Sequence, residues 1–464
     1  MKIHVLYFIS LWLLPHLLTA QEATDFSIRY QTFLHGEIRI IGNAILSRDG
    51  KDGNANVPYN IVSKKAKSND EHFMRYIDID DDPTTFSSSS ATFADKSGVD
   101  KSVVYAGLYW TATYPYNEGA KVRKRKFKPT DAGRENPDTV LFKKPDDTFY
   151  TKVKGEAVYD GFGKRVSAPY LYYADVTELL AGNEGLEGEY TVANVRATNG
   201  VIEGGTSAGW ALVFVYRDSQ SSLKKIISYD GFSSVYREDK VLDFTGFSVP
   251  DNDDFDLQLL GAALEADLNM TGNRVDIYTN TPDNGITLQS PIRPKHNFFN
   301  STISRDGNYV DDRNPNSKNT LGFDIFQLKI NNPREFLFKE NNQQLKLLFT
   351  KSKDRYHLFL TALQIETNIV ESGAKINVYR ITTKDVPAGY YNVVGVFMNE
   401  NNIQKISNAL AETGCTAKSF YIPKEGMYFV YTNRYDTLDE AFAKCEELKA
   451  HPVFSEAWVL YVKN

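Results

Sequence analysis

From Gln21 to about Glu371 the apolar residues come in short runs with strand-like content, separated by turn-forming residues. GEIRIIGNAI (36–45), SVVYAGLYWTATY (102–114), GEYTVANVRAT (188–198) and GWALVFVYRD (209–218) are four such runs. NRVDIYTN (273–280), LGFDIFQLKI (321–330) and QLKLLFTKS (344–352) are three more, and no long amphipathic helix interrupts them. This pattern predicts a mainly β fold, as one or two β-sandwiches or a single jelly-roll-like unit with insertions. After Gly389 the pattern changes. GYYNVVGVFM (389–398) reads as a strand, and ENNIQKISNALAET as a helix with Ile403, Ile406 and Leu410 on one side. CTAKSFYI and MYFVYTNRY are two further strands around the turn PKEG. A second helix opens at Asp436 or Thr437, with Ala441, Cys445 and Leu448 on its apolar side, and EAWVLYVKN closes the chain as a strand. The order βαββαβ predicts a small α+β, ferredoxin-like module: a four-stranded antiparallel sheet, both helices on one face, the other face open. The helical stripes are core positions. The expected organisation is a leader at 1–20, a β-rich domain at 21–371, a linker at 372–388 and the module at 389–464.

The first residues set the compartment. Lys2, an apolar stretch from Val5 to Leu18 and the small-residue site Leu18-Thr19-Ala20 form a secretory signal peptide, and no cysteine follows for lipid attachment. No later run is long enough to span a bilayer. The chain is expected to be exported, to the periplasm first and the cell surface second. It holds two cysteines, Cys415 and Cys445, which an oxidising compartment lets pair or which stay as thiols. A formal charge of −6 argues against nucleic acid or an anionic membrane as partner. The 28 Tyr and 28 Phe reinforce the strand-rich reading.

Two stretches resemble known families. The last module resembles a SPOR domain, the peptidoglycan-binding unit of bacterial envelope proteins, through its element order and through YYNVVGVF (390–397) and YFVYTNRY (428–435). The resemblance implies that the open sheet face grips glycan strands. Period-2 alternation then places Tyr391, Val393, Phe429, Tyr431 and Asn433 on that face, where tyrosine rings stack on sugars and polar tips bond hydroxyls. The alternative is that these rings bury against the preceding domain. Residues 25–370 resemble the N-terminal domain of large surface proteins of gliding and other Bacteroidetes, many of them type IX secretion substrates. The resemblance is carried by YIDIDDDPTTFSSSSATF (76–93), VVYAGLYWTATYPY (103–116), YTVANVRATNG (190–200), GGTSAGWALVFVYRD (204–218), ISYDGF (227–232), NFFNSTIS (297–304) and RNPNSKNTLGFD (313–324). It implies an envelope location and no settled chemistry.

Candidate chemistry is sparse. Asp78, Asp80 and Asp82 alternate as at the start of a calcium loop, but the glycine and the distal glutamate of an EF-hand are missing. Calcium is therefore a candidate ligand beside a solvated acidic turn, and no other cofactor is implied. Gly205-Thr-Ser207-Ala-Gly209 matches a nucleophile-elbow pattern, yet a strand rather than a helix follows the serine. The five histidines beyond the leader are scattered. Glu203 and Asp230 illustrate acid pairs whose separation decides any glycosidase reading. The basic run Lys121–Lys128 is read as a solvated loop or a polyanion patch. The expectation is a non-enzymatic envelope protein, a β-rich binding or scaffold domain tethered to peptidoglycan glycan strands by the last module, with envelope or outer-membrane proteins as partners and a link to type IX secretion or gliding. The alternative is an adhesin-like protein whose last module docks on a partner protein, and a serine or glycoside hydrolase comes third.

Overall fold

The computed structural model describes residues 23–463, apart from 51–52, 64, 95–100, 124–125, 182–185, 219, 237, 248, 251–254, 339–343, 354, 368–377, 413–414, 450–453 and 455–456. The leader and residues 372–377 of the expected linker lie outside the described residues.

One long strand organises the body. Thr24–Ala44 pairs antiparallel with Ala208–Asp218 through its second half, Gly36 to Ala44, and with Leu223–Val235 through its first half. It thereby joins two halves of an eleven-stranded sheet. One half adds Lys101–Thr113, Pro169–Asp175 and Glu156–Asp160 beyond Ala208–Asp218. The other adds Tyr356–Glu366, Leu257–Ala266, Gly322–Lys329, Ile303–Arg305 and Asn308–Tyr309 beyond Leu223–Val235. The two halves pack face to face. Tyr109, Leu171 and Val213 of the first share one core with Leu260, Phe359 and Ile325 of the second. Each half is backed by its own outer sheet. Ser88–Phe93, Gly188–Ala193, Thr139–Lys143 and Thr151–Lys154 cover the first, and Lys240–Thr245, Gln344–Thr350 and Arg274–Tyr278 the second. The body is therefore two β-sandwiches with their inner sheets in contact.

This layering explains the two kinds of strand in the sequence. AGWALVFVYRD is apolar nearly throughout because both faces are covered. Trp210, Leu212 and Phe214 enter the first sandwich core, and Ala211, Val213 and Val215 the core between the inner sheets. QLKLLFT belongs to an outer sheet and alternates instead, with Leu345, Leu347 and Phe349 fully buried between half-buried neighbours. Complete burial of a side chain such as Phe214 or Leu347 contributes roughly 1.5–3 kcal/mol each. The expected β-sandwich architecture holds, and the strand limits fall within a residue or two of the apolar runs for most of them.

Two expectations need correction. The basic run is not a loop: Glu118–Arg123 and Lys126–Asp131 form an antiparallel hairpin, with Lys121 opposite Phe127. The linker reading ends early, because Val378–Thr382 is a strand that pairs parallel with the closing strand Trp458–Lys463. The last module thus has five strands in the order Val378–Thr382, Trp458–Lys463, Gly389–Phe397, Met427–Tyr435, Lys418–Ile422, with helices Asn401–Glu412 and Leu438–Lys449. Ile403, Ile406, Leu410, Ala441, Cys445 and Leu448 pack as one core with Val394, Val430 and Val459.

Candidate functional site

The sheet face expected to be open is covered. Tyr391, Val393 and Phe429 are buried, Tyr431 is half-buried, and only Asn433 is exposed. Ile381 and Val386, which precede the first helix-flanked strand, pack onto this face together with Ile28 and Phe33 of the body's long strand. Phe33 meets Trp458 at 6.1 Å between ring centroids. Tyr391 is held edge-on against Tyr431 at 5.0 Å, and its hydroxyl donates to the Pro387 carbonyl at 2.6 Å. Tyr391, Val393, Phe429 and Tyr431 share one cluster, whereas a register shift in the strand pair sets Arg434 rather than Asn433 opposite Tyr391. A cavity of about 250 Å³ remains between body and module, lined by Tyr30, Phe33, Lys225, Val396 and Trp458 among others. Lys225 is buried there, with its ammonium donating to Gln31 Oε1 at 2.7 Å and lying 4.4 Å from the Phe33 ring centre. Burial pushes its pKa down to about 7, against the opposing charge of Glu425 from the module.

Cys415 and Cys445 both face the module's helix-side core and are not joined in a disulfide. Among the described residues no group of three or more His, Cys, Asp or Glu side chains is placed to hold a metal ion. The three alternating aspartates accept hydrogen bonds from within and beyond their turn. Asp78 accepts from Ser88 Oγ at 2.9 Å, Asp80 from Tyr150 and Thr85, and Asp82 from both the amide and the hydroxyl of Thr84. Partial burial raises the Asp78 pKa. At Asp80 burial acts the same way, but the hydrogen bonds outweigh it and hold the carboxylate below its usual range.

Ser207 is buried at the start of its strand and donates to Glu265 Oε1 at 2.8 Å, with no histidine bonded to it among the described residues. Asp230 lies far from solvent, in the contact of the inner sheets. It accepts from Arg29 Nε at 2.6 Å and from the Tyr109 hydroxyl at 3.2 Å, between the inner sheets. Glu203, by contrast, is exposed at the rim of a cleft.

That cleft has a volume of about 680 Å³, and both sandwiches build it. Its acidic floor is Glu265 and Asp267 at the end of Leu257–Ala266, where Glu265 takes a left-handed φ of 70°. Asn69 donates to both Glu265 oxygens at 3.4 Å. Burial, reinforced by Asp267 and Asp70 and opposed by the Ser207 and Asn69 hydrogen bonds, pushes Glu265 up to about 8. Burial beside Asp70 and Glu71 pushes Asp267 up to about 7. Two glycines allow this packing: a Cβ on Gly205, whose φ is 84°, would stand 2.1 Å from Asn69 Oδ1, and one on Gly322 would crowd Ser207 and Asn69. Lys164, Arg165, Lys353 and Arg355 line the same cleft. His357 lines it too and is buried, and its Nδ1 lies 2.6 Å from Ser234 Oγ on the neighbouring strand. Burial and the nearby Arg165 and Arg355 charges hold it well below the usual histidine range, so the ring is neutral. A separate groove of about 620 Å³ on the second sandwich has Asp306 and Lys329 as its charged lining residues.

Sequence reasoning did not find this cleft. Its one local signal is the LEAD tetrapeptide closing an apolar strand, which sets two acids at i and i+2 on one face. No family model matches the chain, and no curated protein matches it. Among solved structures the chain is similar to the STIV MCP, at 8% identity and a TM-score of 0.16, over 61% of this chain and 92% of that one. It is also similar to PNGF-II, at 10% identity and a TM-score of 0.20, over 72% of this chain and 66% of that one. Likenesses at these scores carry no argument about function.

Proposed function

We propose that the chain is an exported, non-enzymatic envelope protein. Its two-sandwich body is the binding domain, and its last module holds that body to the envelope by contact with peptidoglycan glycan strands. The observation that supports this most is the aromatic face of the module, where Tyr391, Phe420, Phe429 and Tyr431 form one ring cluster, with exposed Asn433 two residues beyond Tyr431 in its strand. Tyrosine and asparagine at a sheet margin suit stacking and hydroxyl bonding on sugars. The docked body restricts that contact to the Tyr431–Asn433 end. The second reading, a module specialised for docking on protein, draws support from the same face, since Phe33 and Ile28 already occupy part of it.

Co-sedimentation of the full chain with sacculi whose stem peptides have been removed separates the two. The glycan reading expects saturable binding that falls about tenfold in Tyr431→Ala/Asn433→Ala, equivalent to about 1.4 kcal/mol. It also expects stronger binding by Phe33→Asp, which loosens the body from the face. Absence of sacculus binding by both wild type and Phe33→Asp would leave the protein-docking reading.

A further inference from the structure

We propose that the hairpin of Glu118–Arg123 and Lys126–Asp131 is an arm that docks the body onto an anionic lipid surface. Lys121, Arg123, Lys126 and Lys128 meet headgroup phosphates, and Val122 enters the acyl boundary. The proposal goes beyond the glycan contact of the last module and holds whether or not that contact is made. Three observations carry it. The first is projection. Asn199–Gly200 pairs only with Glu118 and Gly119, so from Ala120 onward the hairpin has no described strand on that side. Lys126–Asp131 is the edge of its five-stranded sheet, and among the described strands it pairs with Glu118–Arg123 alone. Neither Val122 nor Phe127 joins any core of the described residues.

The second is charge. Residues 121–128 hold six cations and no acid, in a chain whose formal charge is −6. The net charge thus hides a local excess of the opposite sign. Lys121, Arg123, Lys126 and Lys128 are exposed, and none of them is in a salt bridge among the described residues. Arg123 stands directly opposite Lys126, and like charges so placed destabilise a strand pair. A two-stranded hairpin is only marginally stable by itself in water, so the arm has little in reserve to offset that repulsion; a negatively charged surface offsets it. The third is Val122. A register shift between Lys121 and Arg123 leaves no residue of the other strand opposite it, and it is 52% exposed among these cations. A dissolved polyanion gives that side chain nothing apolar to enter, whereas the boundary between headgroups and acyl chains accommodates cations and an apolar side chain together.

The test is co-sedimentation of the full chain with vesicles of phosphatidylcholine alone and of equal parts phosphatidylcholine and phosphatidylglycerol. Each Lys or Arg near an anionic surface raises partitioning roughly fivefold, so binding is expected on the mixed vesicles and not on the neutral ones. Lys121→Gln/Arg123→Gln/Lys126→Gln/Lys128→Gln should weaken it by about a hundredfold or more. Salt at about 0.5 M should weaken wild-type binding strongly, because screening then shortens the reach of each charge. Val122→Ser should lower binding several-fold at every salt concentration. These positions are all exposed, so the variants keep the fold, which a thermal melt verifies. Tyr431→Ala/Asn433→Ala should leave vesicle binding unchanged, which keeps this test separate from the glycan reading. Equal binding to both kinds of vesicle, absence of binding to either, or binding unchanged in the quadruple variant overturns the proposal. A soluble heparin fragment bound more tightly than the anionic vesicles also overturns it, and marks the arm as a site for dissolved polyanions instead.

Discussion

Lys225 and Glu265 show how burial turns single side chains into pH-dependent terms in stability. The Lys225 pKa is depressed from 10.5 to about 7 in the folded chain. The unfolded chain therefore holds more protons between those values, and stability rises with pH across that window and falls as pH drops toward 7. Lys225→Met removes the buried charge and keeps the apolar stem. It should raise stability by roughly 1–3 kcal/mol at pH 6–7 and by little near pH 10, read as a difference in melting temperature at the two pH values. Glu265 has the opposite sign. Its folded pKa is raised from 4.5 to about 8, so its contribution is fully present below 4.5 and is lost as pH rises through 8. Glu265→Gln keeps an oxygen for the Ser207 hydroxyl. It should match wild type near pH 4.5 and exceed it at pH 8 and above in the same melting experiment.

At the scale of elements, the turn that enters Ala208–Asp218 depends on Gly205. Its φ of 84° and the 2.1 Å approach to Asn69 leave no room for a side chain. Gly205→Ala should cost about 1–3 kcal/mol through backbone strain and displacement of Asn69. It should also lower the Glu265 pKa shift's opposition from Asn69, which a carboxyl-edited NMR titration would register as a further upward movement. The G-x-S-x-G pattern is thus a device for packing: Gly205 admits Asn69, Gly209 admits the Phe323 ring, and Ser207 anchors Glu265. The helices of the last module follow their local signals closely. Thr437 caps Leu438–Lys449 through its hydroxyl, which accepts from the Glu440 amide at 3.4 Å. Val378–Thr382 escapes such reading because a five-residue edge strand next to a polar segment has too little pattern to distinguish it from a tether.

At the scale of the whole molecule, the contact between the inner sheets carries a polar knot within an apolar interface. Arg29 of the long strand binds Asp230 on the neighbouring strand at 2.6 Å and Glu156 on the opposite half at 2.7 Å, and lies 4.1 Å from the Tyr173 ring centre. Asp230→Ala strips the buried partner from a largely enclosed guanidinium and should cost about 2–4 kcal/mol, measurable by urea unfolding monitored on tryptophan fluorescence. Trp110 and Trp210 sit in the first sandwich core and report on the same unit. The sequence by itself determined the strand-rich class, most strand positions, the helical stripes of the last module and the shared face of Tyr391, Val393, Phe429 and Tyr431. Each of these follows from side-chain alternation or helical spacing within a few residues, which backbone geometry fixes locally. Only the tertiary structure decided that the aromatic face is covered, that Asp80 accepts from the distant Tyr150, and that Glu265, Asp267, Lys164, Arg355 and His357 line one cleft. Those outcomes depend on which distant strands pair and which sheet faces meet, as when Thr24–Ala44 bridges two sheets whose partners come from both ends of the body. Pairings of that range are chosen by the summed burial of the entire core, a quantity that no local stretch of sequence contains.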